Sequence, residues 1–178
     1  MAFLFDTDAI SEVLRGRPRP DYIQWLRGVP REDQFTSAVV AAELYRGALG
    51  SERARFHLEN IEKRVLPGVT VLPFDVAVAR VYGEIEAGLK SGHSLADADL
   101  QIAATAIRHG LELVTRNVRH FETVPGLVLC RVLGEAQPAE AQPVEAQLVE
   151  AQPAETAPRD IHAAMAAIEM YRWQPEED

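Results

Sequence analysis

Ala2-Phe3-Leu4-Phe5-Asp6-Thr7-Asp8-Ala9-Ile10-Ser11-Glu12 opens the chain, and the rest of the sequence is read outward from it. Residues 2–5 are apolar without polar alternation, the pattern of a strand buried on both faces of a parallel sheet. Asp6 ends that run. Thr7 or Asp8 then offers a helix cap, and Ile10, Val13 and Leu14 recur at helical spacing up to Gly16. A carboxylate directly after a buried strand is expected at the carboxyl end of that strand, where open α/β sheets form their sites.

The alternation continues along the chain. Helical patterns over 21–27, 37–50, 53–66, 75–89 and 95–109 separate short apolar runs at 34–36, 69–72, 113–115 and 127–129. Ser37 is placed to cap the helix over 37–50, with Val40, Leu44 and Leu49 inward. Val78, Val81, Tyr82 and Ile85 share a face of the helix over 75–89, and Gly92 ends that segment. Gly110 suits the position just past the helix over 95–109, where a left-handed residue stops helical hydrogen bonding. Strands alternating with helices predict a parallel central sheet covered on both faces, a three-layer α/β/α domain over residues 1–133.

The chain changes character after this domain. Of its 178 residues, 27 are acidic and 18 basic, a net charge of −9. Ten of the acids and two of the arginines fall in residues 134–178, so the body is near neutral. Its arginine groups permit an anionic ligand without demanding one. From Glu135 a five-residue unit repeats as EAQPA, EAQPV, EAQLV and EAQPA. Five fits neither the helix nor the strand period, and the prolines interrupt any helix. Residues 134–158 are expected to be a disordered acidic linker. Residues 159–178 regain helical spacing, with Ile161, Met165, Ile168 and Arg172 on one stripe, followed by an acidic end. This tail is read either as a mimic of nucleic acid or tether for a modulating helix, or as a repeat expansion without function.

No apolar run approaches the ~18–20 residues that span a bilayer. The N-terminus has no basic, cleavable leader pattern. Cys130 is the single cysteine, which excludes an internal disulfide or a thiolate cluster within one chain. A cytoplasmic protein without a membrane partner is expected.

Three acidic placements adjoin residues that want burial. Asp6 ends a strand. Glu43 lies within Ala38-Val39-Val40-Ala41-Ala42-Glu43-Leu44. Asp97 and Asp99 open a helix continued by Leu100, Ile102, Ala103 and Ala104. Each has an ordinary explanation in capping, the helix dipole or pairing with an arginine such as Arg46. Jointly they suggest an oxygen-rich site for a hard cation, because a buried carboxylate is costly unless paired or metal-bound. Mg²⁺ or Mn²⁺ suits oxygen ligands without a Cys/His cluster, and a phosphodiester is a natural substrate for such an ion. The five histidines show no ligand spacing and read as surface or capping residues.

Four segments carry a family resemblance. The opening Phe3-Leu4-Phe5-Asp6-Thr7-Asp8-Ala9-Ile10-Ser11-Glu12, the stretch Ala41-Ala42-Glu43-Leu44-Tyr45-Arg46-Gly47, the acidic helix Ala96-Asp97-Ala98-Asp99-Leu100-Gln101-Ile102-Ala103-Ala104, and Leu113-Val114-Thr115-Arg116-Asn117 with His120-Phe121 resemble the motifs of PIN-domain proteins, in one order over residues 3–130. The likeness is to the VapC-type toxin branch. It implies a Mg²⁺- or Mn²⁺-dependent ribonuclease, the toxin of a bacterial type II toxin–antitoxin pair, acting as a homodimer and held inactive by a small antitoxin. It further implies that Asp6, Glu43 and Asp99 are the catalytic, metal-holding acids. Thr115 and Asn117 match the fourth position, often aspartate, and Asp97 is a neighbour that assists or only caps. Asp8 stands where asparagine is commoner and adds a carboxylate near the site. Arg46, Arg116 and Arg15 are candidate RNA-phosphate contacts. Two other readings share these residues: a PIN-like partner-binding module without catalysis, and a metal-dependent DNA nuclease or phosphatase.

Overall fold

The structure, a computed structural model, describes residues 1–89 and 95–134. The expected linker and terminal helix lie, from residue 135 onward, outside the described residues, as does Gly92.

Five short strands form one sheet: β1 (Phe3–Phe5), β2 (Gln34–Ser37), β3 (Thr70–Leu72), β4 (Glu112–Val114) and β5 (Leu129–Cys130). Their spatial order is β3-β2-β1-β4-β5, and every neighbouring pair is parallel. Leu4 therefore pairs with Phe35 on one side and with Leu113 on the other. Parallel strands need crossover connections, and seven α-helices supply much of them: α1 (Thr7–Leu14), α2 (Pro20–Leu26), α3 (Ala38–Gly50), α4 (Ala54–Asn60), α5 (Val76–Gly88), α6 (Asp97–His109) and α7 (Val118–Phe121).

The strand order places successive strands to one side of β1 up to β3, and then to the other side from β4. The crevice outside the carboxyl ends of β1 and β4 is consequently the topological switch point, where such sheets bind ligands. Asp6 and Thr115 are the residues that follow these two strands. The Asp6 N–H donates to the Val114 carbonyl at 3.1 Å, which keeps the two strand ends together past the ladder.

The core explains why this arrangement holds. Leu4, Phe5, Leu113 and Val114 are fully buried in the sheet, against Val40 and Leu44 of α3 and Leu100, Ile102, Ala103 and Ala104 of α6. Burying one such Leu or Ile side chain contributes about 1.5–3 kcal/mol. Small alanines let α6 lie close to the layer beneath. On the far side of β1, Trp25 of α2 meets Phe3 and Phe5 edge-on with ring centroids 5.0 and 6.3 Å apart, and it stacks on Tyr22. The Tyr22 hydroxyl is buried but donates to the Ala9 carbonyl at 3.1 Å, which ties α2 to α1.

The helix ends follow the local chemistry. Ser37 caps α3 by accepting from the Val40 N–H at 3.1 Å, and Asp75 caps α5 by accepting from the Val78 N–H at 2.9 Å. Gly110 stops α6 in the left-handed conformation, with φ +65°. Four expectations are corrected. The cap of α1 is Asp6, as its capping explanation had it, accepting from the Thr7 N–H at 2.7 Å, in place of Thr7 or Asp8. Leu49 is 65% exposed instead of inward, because the end of α3 runs past the layer it covers. The helix expected over 53–66 is α4 followed by a π-turn, Ile61–Val65, and a 3₁₀ turn, Leu66–Gly68. The last strand pairs through Leu129 and Cys130, two residues later than its apolar run begins, after a helix α7 that is too short to show a period.

Candidate active site

Asp6 is the centre of the crevice. It is only 6% exposed, and its carboxylate is held at both oxygens: Oδ1 accepts from the Thr7 N–H at 2.7 Å and Oδ2 from the Thr115 hydroxyl at 2.7 Å. Burial pushes its carboxyl well above the ordinary carboxylate range, and the negative charge of Asp8, then of Glu43, pushes the same way. The hydrogen bonds from Thr115 and Thr7 oppose that rise without cancelling it. A proton-hungry, immobilised carboxylate of this kind is a poor stability device and a good ligand or base.

Glu43 reaches the crevice from the second turn of α3. It accepts a short hydrogen bond from the Thr7 hydroxyl, so one threonine fixes two acids: its N–H holds Asp6 and its O–H holds Glu43. Burial raises the Glu43 carboxyl, the Thr7 hydrogen bond lowers it, and Asp99 and Asp8 raise it again, with Arg46 acting oppositely. Asp99 enters from the first turn of α6. Burial raises it too, while His120 and a backbone hydrogen bond at Ala96 lower it and Asp8 raises it. Asp8 thus bears on all three acids, so these four carboxylates share one field, supplied by α1, α3 and α6 around the end of β1.

The remaining expected residues separate into three groups. Thr115 is fully buried on Asp6, and its oxygen also accepts the Asn117 N–H at 3.0 Å. Asn117 is half-buried at the start of α7, with its amide nitrogen 3.0 Å from Nδ1 of His120. Asp97 is exposed and hydrogen-bonds the hydroxyl of Tyr82 on α5. Arg46 is exposed on α3, one turn beyond Glu43.

Arg116 and Arg15 both pair with Glu12. Arg116 is 4% exposed, and its guanidinium pairs with Glu12, which is 1% exposed. Arg15 meets the same Glu12 oxygen at 3.4 Å. A buried guanidinium on a buried carboxylate gives Arg116 a structural role, and Arg15, half-buried, shares that carboxylate. Glu12 stands in the opening motif, but nothing in its spacing marks it as the partner of a residue so far along the chain.

One histidine departs from the surface reading. His57 is buried, with its ring edge-on to Phe56 at 5.3 Å, and burial first, then Arg53, disfavours its charged form. His120 is exposed but stands at the site, joined to Asn117 and close enough to bear on Asp99. The sequence signal for His120 was its place three residues after Asn117 on one helical turn.

The donor set fits a hard divalent cation: all-oxygen, anionic, and destabilised by its own like charges in the absence of a cation. Among the described residues no three Asp, Glu, His or Cys side chains converge as a ready ligand set, so ion binding entails a side-chain turn by at least one acid.

Comparison with known proteins agrees with this geometry. The PIN domain profile matches residues 3–127. The chain is 38% identical to Toxin FitB of Neisseria gonorrhoeae over 124 residues, 66% of this chain and 89% of that protein. It is 36% identical to VapC ribonuclease Y4jK of Sinorhizobium fredii over 125 residues, 67% of this chain and 89% of that one. Among solved structures, the FitAcB crystal structure from Neisseria gonorrhoeae superposes with a TM-score of 0.65 at 36% identity, covering 72% of this chain and 96% of that chain. VapBC2 from Rickettsia felis bound to a promoter DNA fragment gives a TM-score of 0.67 at 25% identity, over 73% and 98%. The parallel five-stranded sheet with its acidic switch point and these likenesses together place the chain in the PIN-domain family.

Proposed function

We propose that this chain is a metal-dependent endoribonuclease, the toxin of a type II toxin–antitoxin pair that hydrolyses RNA phosphodiester bonds. The observation that carries the reading is that Asp6, Glu43 and Asp99, with Asp8, bear on one another electrostatically around the carboxyl ends of β1 and β4, each of the three raised in proton affinity first by burial. Relatives named ribonuclease VapC and toxin FitB support the activity class. The FitAcB and VapBC complexes among its structural neighbours support an antitoxin partner. Action as a homodimer belongs to the same reading, as does residence in the cytoplasm; among the described residues no helix is long and apolar enough to cross a membrane.

Asp6, Glu43 and Asp99 would hold Mg²⁺ or Mn²⁺. When bound, the ion supplies a Lewis acid for a phosphoryl oxygen and acidifies water. The chain supplies the rest. Thr7 and Thr115 hold Asp6 in one rotamer, and Thr7 holds Glu43. The raised proton affinity of these carboxylates suits one of them to take a proton from the attacking water. Arg46, exposed beside Glu43, is placed to meet a backbone phosphate.

The test is cleavage of labelled RNA by the purified chain in EDTA, Mg²⁺ or Mn²⁺, beside Asp6→Asn and Asp99→Asn variants shown to fold. Metal-dependent cleavage lost in both variants supports the reading. A folded, antitoxin-free protein that cleaves no RNA in a broad set refutes it, and cleavage of DNA or a phosphate monoester in the same panel redirects it.

A further inference from the structure

His120 is attached to the catalytic acids by a chain of side-chain and backbone hydrogen bonds. Asp6 Oδ2 accepts from the Thr115 hydroxyl at 2.7 Å, the Thr115 oxygen accepts from the Asn117 N–H at 3.0 Å, and the Asn117 amide nitrogen lies 3.0 Å from His120 Nδ1. The imidazole backbone is fixed as well: the His120 N–H donates to the Asn117 carbonyl at 3.1 Å and its carbonyl accepts from the Thr123 hydroxyl at 3.2 Å. Despite these ties His120 is exposed, so its ring is open to a ligand from solvent. Its effect on Asp99 sets it on the same side as the acids.

The Asn117 contact defines what the ring can offer. In the tautomer whose Nδ1 accepts from the Asn117 amide NH₂, the ring's own proton stands on Nε2, which is then a donor. A donor cannot ligate a cation, but it complements a phosphodiester oxygen. The site otherwise presents carboxylates to an anionic substrate, and a fixed donor at its edge offsets that repulsion.

We propose that His120, oriented by Asn117, donates from Nε2 to a non-bridging oxygen of the bound RNA phosphodiester and is a substrate-positioning contact of this site, not a metal ligand. This rests on the ribonuclease reading above, and it adds a residue that reading does not use.

The test measures binding of a fluorescent oligoribonucleotide to the full chain in EDTA by anisotropy, and cleavage of the same RNA in Mn²⁺, for wild type, His120→Ala, His120→Gln and Asn117→Leu. Loss of one hydrogen bond to a charged oxygen predicts about 10–100-fold weaker RNA binding for His120→Ala. The same factor should appear in KM, with the Mn²⁺ concentration for half-maximal activity unchanged. His120→Gln, which retains an N–H donor, should recover part of the loss, and Asn117→Leu should lose part of the binding. Unchanged RNA binding and KM in His120→Ala, or a shifted Mn²⁺ requirement at constant KM, overturns the proposal, and the second result makes the ring a ligand. Failure of the wild type to cleave RNA while His120→Ala still weakens binding rejects the ribonuclease reading and leaves the contact standing. A wild type that neither binds RNA in EDTA nor cleaves it in Mn²⁺ overturns both.

Discussion

Glu12 and Arg116, 104 positions apart, form a buried ion pair between the last turn of α1 and the turn after β4. Glu12 does more than neutralise one charge. Its other oxygen accepts the Arg19 N–H at 2.8 Å, so the same carboxylate ties the start of α2 to the turn that carries Thr115 and Asn117. Arg116 lies between those two residues, and the pair therefore sets where the Asp6 hydroxyl donor sits.

Breaking that pair should be costly. Removing one partner leaves a desolvated charge, worth about 3–5 kcal/mol. Glu12→Gln and Arg116→Met are each expected to lose stability of that order in urea unfolding. The double variant should lose less than the two losses added, because neither charge is then orphaned. Additive losses would show that the two residues do not act as a pair.

Thr115→Val should affect Asp6 directly. It removes the donor at Oδ2 and the acceptor of the Asn117 N–H. Each buried polar group left unmatched costs about 1–3 kcal/mol. The Thr115 hydrogen bond lowers the Asp6 carboxyl's proton affinity, so its loss moves the acidic limb of the cleavage pH profile upward. A profile identical to the wild type would separate Thr115 from the chemistry.

The acids predict a metal- and pH-dependent stability. Asp6, Glu43 and Asp99 are raised above their unfolded values, chiefly by burial. A carboxyl raised in the folded state stabilises fully below its unfolded value, about pH 4, and that contribution is lost as pH rises through the folded value. In EDTA, Asp6→Asn should therefore gain in Tm relative to wild type as pH rises from acidic to neutral. Each kcal/mol relieved corresponds to about 2–8 °C. Mn²⁺ at a hundred times its dissociation constant should return about 2.7 kcal/mol to the wild type at neutral pH and much less to the variant. Equal Mn²⁺ stabilisation of both proteins would place the ion elsewhere.

The acidic repeat gives a separate prediction. Ten acids and two arginines stand in residues 134–178 beside a near-neutral body. We propose that the tail competes with RNA for the body's basic side chains. Removing residues 135–178 should then raise cleavage at low salt and weaken its dependence on ionic strength. Cleavage unchanged in both respects assigns the repeat no part in the activity.

The layer architecture could be read from periodicity in the chain. The strand at Phe3–Phe5 followed by a carboxylate, the cap at Ser37 and the stop at Gly110 are local facts, set within a few residues by periodicity, side-chain acceptors and φ preference. Asp6, Glu43 and the pair Asp97 and Asp99 stood out as carboxylates among residues that want burial, and only the family resemblance singled out Asp99 of the pair. Tertiary structure alone decided which residues share a partner. It gave Arg116 and Arg15 to Glu12, turned Asp97 to Tyr82, set Asp8 within the field of three acids and put His120 beside Asn117 and Asp99. A charge carries no address in the sequence. Its partner is fixed by strand order and by which helix turns meet over the end of β1, and burial then makes that choice energetically binding.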